Sequence, residues 1–397
     1  MRLQPHILQL TALAAVLAVS CTKTERLPDG ARDRHAITFT TAVGPQGTKT
    51  LIEGNDFPES SSFATLAWWL EEGRWDDDMD KAQPYIPLGS DAGSRSVVSY
   101  DEAGKCWSTA IPYYWPSHGS LTFFSFHPYD MDDVTFNMTD GLGLVIRNRD
   151  IAGKSDQQKD IMVAEVAKDR TANSAPGADG NPTAYTGVPT IFHHTLSRLT
   201  GFSIRTDDDY STANDPSGTK FSLTLNSIKI KDVFVKGSYR SGIDPPDTGT
   251  WYDFSGPADY EWYDEDDYDD AFVIGYHDST DEAAVPDWHI RITDGESDSY
   301  AGSVLIMPQI FNDPAYSGNH SACIEVTYTV TYSFPDGSEE TKRIVRSISL
   351  AQIHKDQDSS WPSGKDISYH LTIGMDKITW DPSVEDRDSE THGIIIS

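Results

Sequence analysis

The chain has 397 residues, and 62 acidic side chains against 31 lysines and arginines give a net charge of −31. A surface this acidic repels nucleic-acid phosphates, and no basic aromatic patch offsets it, so nucleic-acid binding is excluded as a function. The length admits two domains of ordinary size.

Arg2 opens the chain, and Ile7 to Val19 then runs almost uninterrupted in Leu, Ala and Val. That run fits a signal-peptide core and is too short to cross a hydrocarbon layer of roughly 30 Å as a helix. It ends Leu17-Ala18-Val19-Ser20-Cys21, small residues placed before a cysteine. We read residues 1–20 as a signal peptide and Cys21 as the lipidated first residue of the mature chain, held to a membrane through acyl chains. Residues 21–35 are then a polar tether. No later run is apolar for long enough to span a bilayer as a helix.

From residue 36 on, strand patterns follow one another. Ile37 to Thr41, Leu121 to Phe126, Phe221 to Leu225, Val304 to Met307, Ile324 to Tyr332 and Ser368 to Ile373 alternate or are rich in β-branched and aromatic residues. Turn clusters such as Asp244-Pro245-Pro246-Asp247 and Pro335-Asp336-Gly337-Ser338 separate them. The pattern predicts an all-β fold of sandwich type with at most short helices. Thr171 to Gly187, rich in Ala, Gly, Pro, Asn and Ser, is the best boundary. We therefore expect one β-sandwich over 36–187 and a second over 188–397. An acidic, aromatic insertion at about 244–282 belongs to the second.

In sequence order, several phrases resemble the fimbrillin family, the lipoprotein subunits of type V pili. Cys21 and the strand Ala36-Ile37-Thr38-Phe39 come first. Trp107-Ser108-Thr109-Ala110-Ile111-Pro112-Tyr113-Tyr114-Trp115-Pro116 leads into Gly119-Ser120-Leu121-Thr122-Phe123-Phe124-Ser125-Phe126. Asp160-Ile161-Met162-Val163-Ala164 and Phe192-His193-His194-Thr195-Leu196-Ser197-Arg198-Leu199 follow. Leu305-Ile306-Met307-Pro308-Gln309, Trp361-Pro362-Ser363-Gly364-Lys365 and Ile378-Thr379-Trp380 complete the series.

The resemblance implies two tandem transthyretin-like β-sandwiches and a non-enzymatic fimbrial subunit or adhesin, displayed from the outer membrane and mediating cell adhesion. It also implies assembly by strand donation: a protease cuts after a basic residue near the end of the first strand, and a strand from another fimbrial subunit fills the vacated groove. On this chain the removable strand is Ile37 to Val43, with Ile37 and Phe39 inward. Lys49, in the Gly-rich stretch Gly44 to Thr50, is the candidate processing site. Arg34 is its rival, and cutting there releases the anchor but keeps the strand. The candidate donor is Ile394-Ile395-Ile396, whose exposure forgoes about 1.5–3 kcal/mol of burial per side chain.

Other chemistries find little support. No Gly-x-Ser-x-Gly, His-Glu-x-x-His, phosphate loop or Cys-x-x-Cys occurs, and no pair among the many carboxylates stands out. Asp76-Asp77-Asp78-Met79-Asp80 starts like a calcium loop but has Lys81 where the turn needs glycine and Pro87 where the last ligand should be. His193 and His194, adjacent on a strand, face opposite ways and make a poor chelate. We expect no metal and no cofactor. Cys106 and Cys323 read first as two buried thiols and second as a disulfide. The alternative from another class is a monomeric surface lipoprotein that binds carbohydrate, through Trp251, Tyr252, Tyr260, Trp262 and Tyr263. The same residues serve an adhesin equally well, with a host protein or glycan as its ligand.

Overall fold

In the computed structural model, residues 36–386 are described except 44–56, 90–95, 139–142, 152–157, 173–186, 207–218, 244–248, 268–271, 277–282, 285–290, 293–303, 314, 316–320, 357 and 374–377. The first half of the chain supplies β1 (Thr38–Val43), β2 (Ser62–Leu70), β3 (Gln83–Ile86), β4 (Ser96–Asp101), β5 (Cys106–Thr109) and β6 (Ser120–His127). These are followed by β7 (Val134–Asn137), β8 (Gly143–Asp150), β9 (Met162–Ala164), β10 (Ala167–Arg170) and β11 (Val188–His194). One short helix, α1 (Trp75–Asp78), lies between β2 and β3.

Nine of these strands form a sheet ordered β10-β6-β9-β11-β1-β5-β4-β2-β3, and β6 also pairs with β2. That last pairing closes a ring, β6-β9-β11-β1-β5-β4-β2, leaving β3 and β10 as branches. Period-2 alternation then separates an inside from an outside. Phe63, Ala67, Leu121, Phe123, Val98, Trp107, Val188, Phe192 and Ala164 pack into one core with Ile37 and Phe39 of β1. Ala64, Leu66, Phe124, Phe126 and Val163 face outward and are buried all the same, because the second half of the chain packs on them. Phe123 and Phe124 thus lie in different cores. Inside the ring, the Ser125 hydroxyl donates to Thr65 Oγ1 at 2.9 Å, so this buried polar pair is satisfied.

The second half supplies β12 (Ser197–Thr206), β13 (Lys220–Arg240), β14 (Thr250–Asp264), β15 (Phe272–Tyr276), β16 (Ala283–Ala284), β17 (Arg291–Ile292) and β18 (Val304–Ile306). It continues with β19 (Gln309–Ile310), β20 (Cys323–Ser333), β21 (Glu339–Ser349), β22 (Ser360–Trp361), β23 (Lys365–Ile373) and β24 (Ile378–Asp386). A sheet ordered β17-β14-β13-β20-β21 also takes β15 and β8 on β13, and β7 joins it through β8. A second sheet runs β16-β12-β23-β24, with β18 also on β12. Both contribute to the large core that reaches the outer face of β2 and β6, through Leu199, Phe202, Ile228, Val326, Tyr328 and Tyr369 among others.

The fold is all-β, as the strand patterns predict. The elements nevertheless interleave at the expected boundary. β11, which begins at Val188, belongs to the ring, while β7 and β8 extend the β13 sheet.

Candidate functional site

The strand that closes the ring, β1, sits between two unlike neighbours. It runs parallel to β11 over five register pairs, from Phe39 with Val188 to Val43 with Phe192. On its other side it meets β5 antiparallel over only two pairs, Thr38 with Ser108 and Phe39 with Trp107. The Ile37 amide adds a bond to the Tyr113 carbonyl at 2.7 Å, and Ala36 forms a bridge to Tyr114.

Ile37 and Phe39 are buried inside the ring. The Phe39 ring stands edge-on to Phe63, at 5.7 Å between centroids, and to Phe123 at 5.9 Å. Burying two such side chains stabilises the closed ring by about 1.5–3 kcal/mol each. Trp107 and Phe192, from the two flanking strands, both pack on Phe57. Trp115 is buried against Phe123, whereas Tyr113 is half-buried and Tyr114 exposed, so only one of these three adjacent rings enters the core.

Gly187, just before β11, has φ +87°, and a Cβ there would lie 2.7 Å from the Phe39 carbonyl carbon. The backbone of β1 approaches so closely that only glycine fits. The sequence pattern pointed to β1 but not to this contact. A glycine ahead of the β-rich stretch Val188-Pro189-Thr190-Ile191 is the signal that marks it. The chemistry of the slot is that of a strand position: backbone donors and acceptors on both sides, and apolar sockets shaped for alternate side chains.

Of the residues singled out from sequence, Cys21, Arg34, Lys49, Ile394, Ile395 and Ile396 lie outside the described residues. The aromatic set lies within them and corrects the loop reading. Thr250 to Asp264 is strand β14, laid antiparallel on β13. Trp251, Tyr260, Trp262 and Tyr263 are buried in the large core, and Trp251 Nε1–H donates to the Thr195 carbonyl at 2.7 Å. Burial also raises the Tyr260 phenol above its ordinary pKa. These four rings present no face to a sugar. Tyr252 alone is half-buried, with the Arg240 guanidinium 5.1 Å from its ring centre.

The acidic stretch that follows is engaged by cations. Lys229 reaches Glu261 at 2.5 Å and Asp264 at 3.6 Å, and Arg343 reaches Glu265 at 3.3 Å. Asp76, Asp77 and Asp78 lie in α1, where Lys168 and Lys81 pair with Asp76 and Asp78. His193 and His194 are buried and pair with different carboxylates, Glu165 at 3.0 Å and Asp160 at 2.5 Å. Among the described residues, no three His, Cys, Asp or Glu side chains are grouped to hold a metal. Cys106 and Cys323 are free, half-exposed thiols on strands of different sheets, and burial raises both pKa values.

A family model described as fimbrillin-like matches residues 91–386. The chain belongs to this fimbrillin-like family. The matched region includes the ring from β4 onward but neither β1 nor β2. Among solved structures, a fimbrial protein from Bacteroides vulgatus is 16% identical, covering 88% of this chain and 99% of that one, with a TM-score of 0.48. The tip fimbrial protein Mfa3 from Porphyromonas gingivalis, with a C-terminal truncation, is 10% identical and covers 82% and 94%, with a TM-score of 0.30. A fimbrial assembly protein from Parabacteroides distasonis is 7% identical and covers 89% and 100%, with a TM-score of 0.32. No curated protein matches the sequence.

Proposed function

We propose that this fimbrillin-like chain is a non-enzymatic fimbrial subunit or adhesin. In this reading it is exported with a signal peptide, lipidated on Cys21 and displayed from the outer membrane. It polymerises by exchanging β1 for a strand of another subunit, and Ile394-Ile395-Ile396 is the donor segment of this chain. The position of β1 carries the reading. A short strand near the start of the mature chain fills an interior place in a ring, and its removal leaves a slot with two strand edges and the sockets of Ile37 and Phe39. Cleavage after Lys49 frees β1 together with the tether, whereas cleavage after Arg34 frees the tether alone. The fold's two halves serve in this reading as tandem domains, one receiving a strand and the other donating it.

The test is limited trypsin digestion of the purified mature chain, followed by intact mass and denaturant-resistant oligomers on a gel. We expect loss of residues 21–49 and a ladder of oligomers. Neither should form from Lys49→Ala, and the cut chain carrying Ile395→Asp should stay monomeric. A chain that keeps β1 and still forms the ladder would overturn strand exchange.

A further inference from the structure

The loop between β5 and β6 holds two large apolar side chains out in solvent, Ile111 at 79% exposure and Tyr114 at 41%. Pro112, between them, is exposed as well. An isolated apolar side chain on a surface is ordinary, but these stand together. They also stand in a stretch without charge. The 24 residues from Cys106 to Tyr129 contain no Asp, Glu, Lys or Arg, in a chain of which 23% is charged.

The backbone of this loop is largely satisfied by the fold. The carbonyls of Ile111, Tyr113 and Tyr114 accept bonds from Thr109 Oγ1 at 2.8 Å, the Ile37 amide at 2.7 Å and the Tyr85 hydroxyl. Pro112 and Pro116 carry no amide hydrogen. Such a loop can leave water with little polar group left unpaired. Trp115, buried against Phe123, pins it to the ring. On the far flank His118 lies 3.7 Å from Glu71, so the uncharged tip runs from Ile111 to Tyr114.

The connection of the chain says what can cover this tip. Ala36 forms a bridge to Tyr114, so the chain enters the fold at this loop. Fifteen residues separate Ala36 from Cys21, and a flexible tether of that length spans about 20–25 Å between its ends. Within it, Lys23, Arg26, Arg32 and Arg34 face Glu25, Asp29 and Asp33, a net +1 in a chain of −31. A tether of that sign suits anionic headgroups. Acyl chains on Cys21 therefore hold a lipid surface within reach of the loop at high effective concentration. Tyrosine favours the headgroup level of such a surface.

We propose that Ile111 to Tyr114 is a membrane contact of the lipidated chain. Ile111 enters the margin of the acyl layer and Tyr114 lies among the headgroups, which turns this end of the ring toward the bilayer. The contact rests on the reading of Cys21 as lipidated and does not depend on strand exchange.

Spin labels test it, at Ile111→Cys and at Val345→Cys on the exposed face of β21, each in a chain carrying Cys106→Ser and Cys323→Ser. The lipidated chain is placed on vesicles of phosphatidylethanolamine and phosphatidylglycerol. We expect the label at 111 to meet a water-soluble nickel chelate several-fold less often than the label at 345, and to meet oxygen more often. That shielding should vanish when Cys21→Ala removes the anchor. Hydrogen exchange of the lipidated parent chain gives a readout without labels: residues 110–119 should exchange more slowly on vesicles, and Ile111→Asp should abolish the slowing. A label at 111 as open to water as the one at 345 overturns the proposal. Intact mass, which shows whether Cys21 is acylated, then tells failure of the contact from failure of the anchor. Shielding that persists in Cys21→Ala overturns it too, because protein rather than lipid then covers the loop.

Discussion

Two strands of this molecule illustrate opposite ways of belonging to a sheet. β1 lies inside a ring, holds two buried apolar side chains and meets one neighbour over only two register pairs. β21 lies at the edge of a sheet, yet it pairs with β20 over eleven residues without a register shift. On one face of it, Ile344 is buried and Ile348 half-buried, and between and beside them stand Lys342 and Arg346, both exposed. Charged side chains at a sheet margin hinder a further strand from docking. The edge that looks open is therefore guarded, while an interior place is held by a short apolar strand with few register pairs on one side. Position in a sheet and commitment to it are separate properties.

The largest test of this contrast is Phe39→Ala. It empties a socket between Phe63 and Phe123, and large-to-small changes of a buried aromatic cost about 3–5 kcal/mol. Val345→Ala, on the exposed face of β21, should stay within about 0.5 kcal/mol. Urea denaturation of the full chain measures both, and equal losses would break the comparison. Gly187→Ala and Gly337→Ala refine it. Both glycines have positive φ, +87° and +83°, but a Cβ at Gly337 meets nothing within 4 Å while one at Gly187 strikes β1. Backbone strain alone costs about 1–3 kcal/mol, so Gly337→Ala should fall near the lower end and Gly187→Ala beyond it. If the two match, β1 yields without cost and the close approach at Phe39 is unimportant.

Local alternation made much of this legible. Ile37 and Phe39 read as inward, and Pro335 to Ser338 as a turn, which here joins β20 to β21. The failures are non-local. Nothing in Ser120 to His127 states that β6 pairs with both β2 and β9, so ring closure was invisible. The aromatic stretch Trp251 to Tyr263 read as an exposed insertion because acidic residues surround it. β13, 21 residues long, supplies the partner that turns it into a buried strand. Register pairs lie far apart along the chain, and a charge-rich flank carries no record of the partner that covers its neighbours.

The guard on β21 is tested by Lys342→Ile with Arg346→Ile. Both positions are exposed, so folding stability should change by at most about 0.5 kcal/mol. The edge should then associate, and sedimentation velocity should reveal concentration-dependent oligomers that the parent chain does not form. A double variant that stays monomeric would mean that something other than these two charges protects the edge.

The smallest expected effect separates the two regions by pH. His127, at the end of β6 in the ring, has Nδ1 2.9 Å from the Ser62 carbonyl oxygen, and its burial lowers its pKa below 6.5. A histidine kept neutral by folding binds its proton more tightly in the unfolded chain, so its contribution is present above pH 6.5 and is lost as pH falls through 6.5 toward the folded value. In the β20–β21 turn, bonds from the Ser338 side chain and amide lower the Asp336 pKa below 3.8. That contribution is present above pH 3.8 and declines only as pH falls through 3.8 toward the folded value. Acidification from pH 7 to pH 5 should therefore weaken hydrogen-exchange protection in β6 and β9 while leaving the β20–β21 turn unchanged. His127→Gln should remove that selectivity. Equal loss in both regions would assign the acid response to the chain's general charge rather than to this buried imidazole.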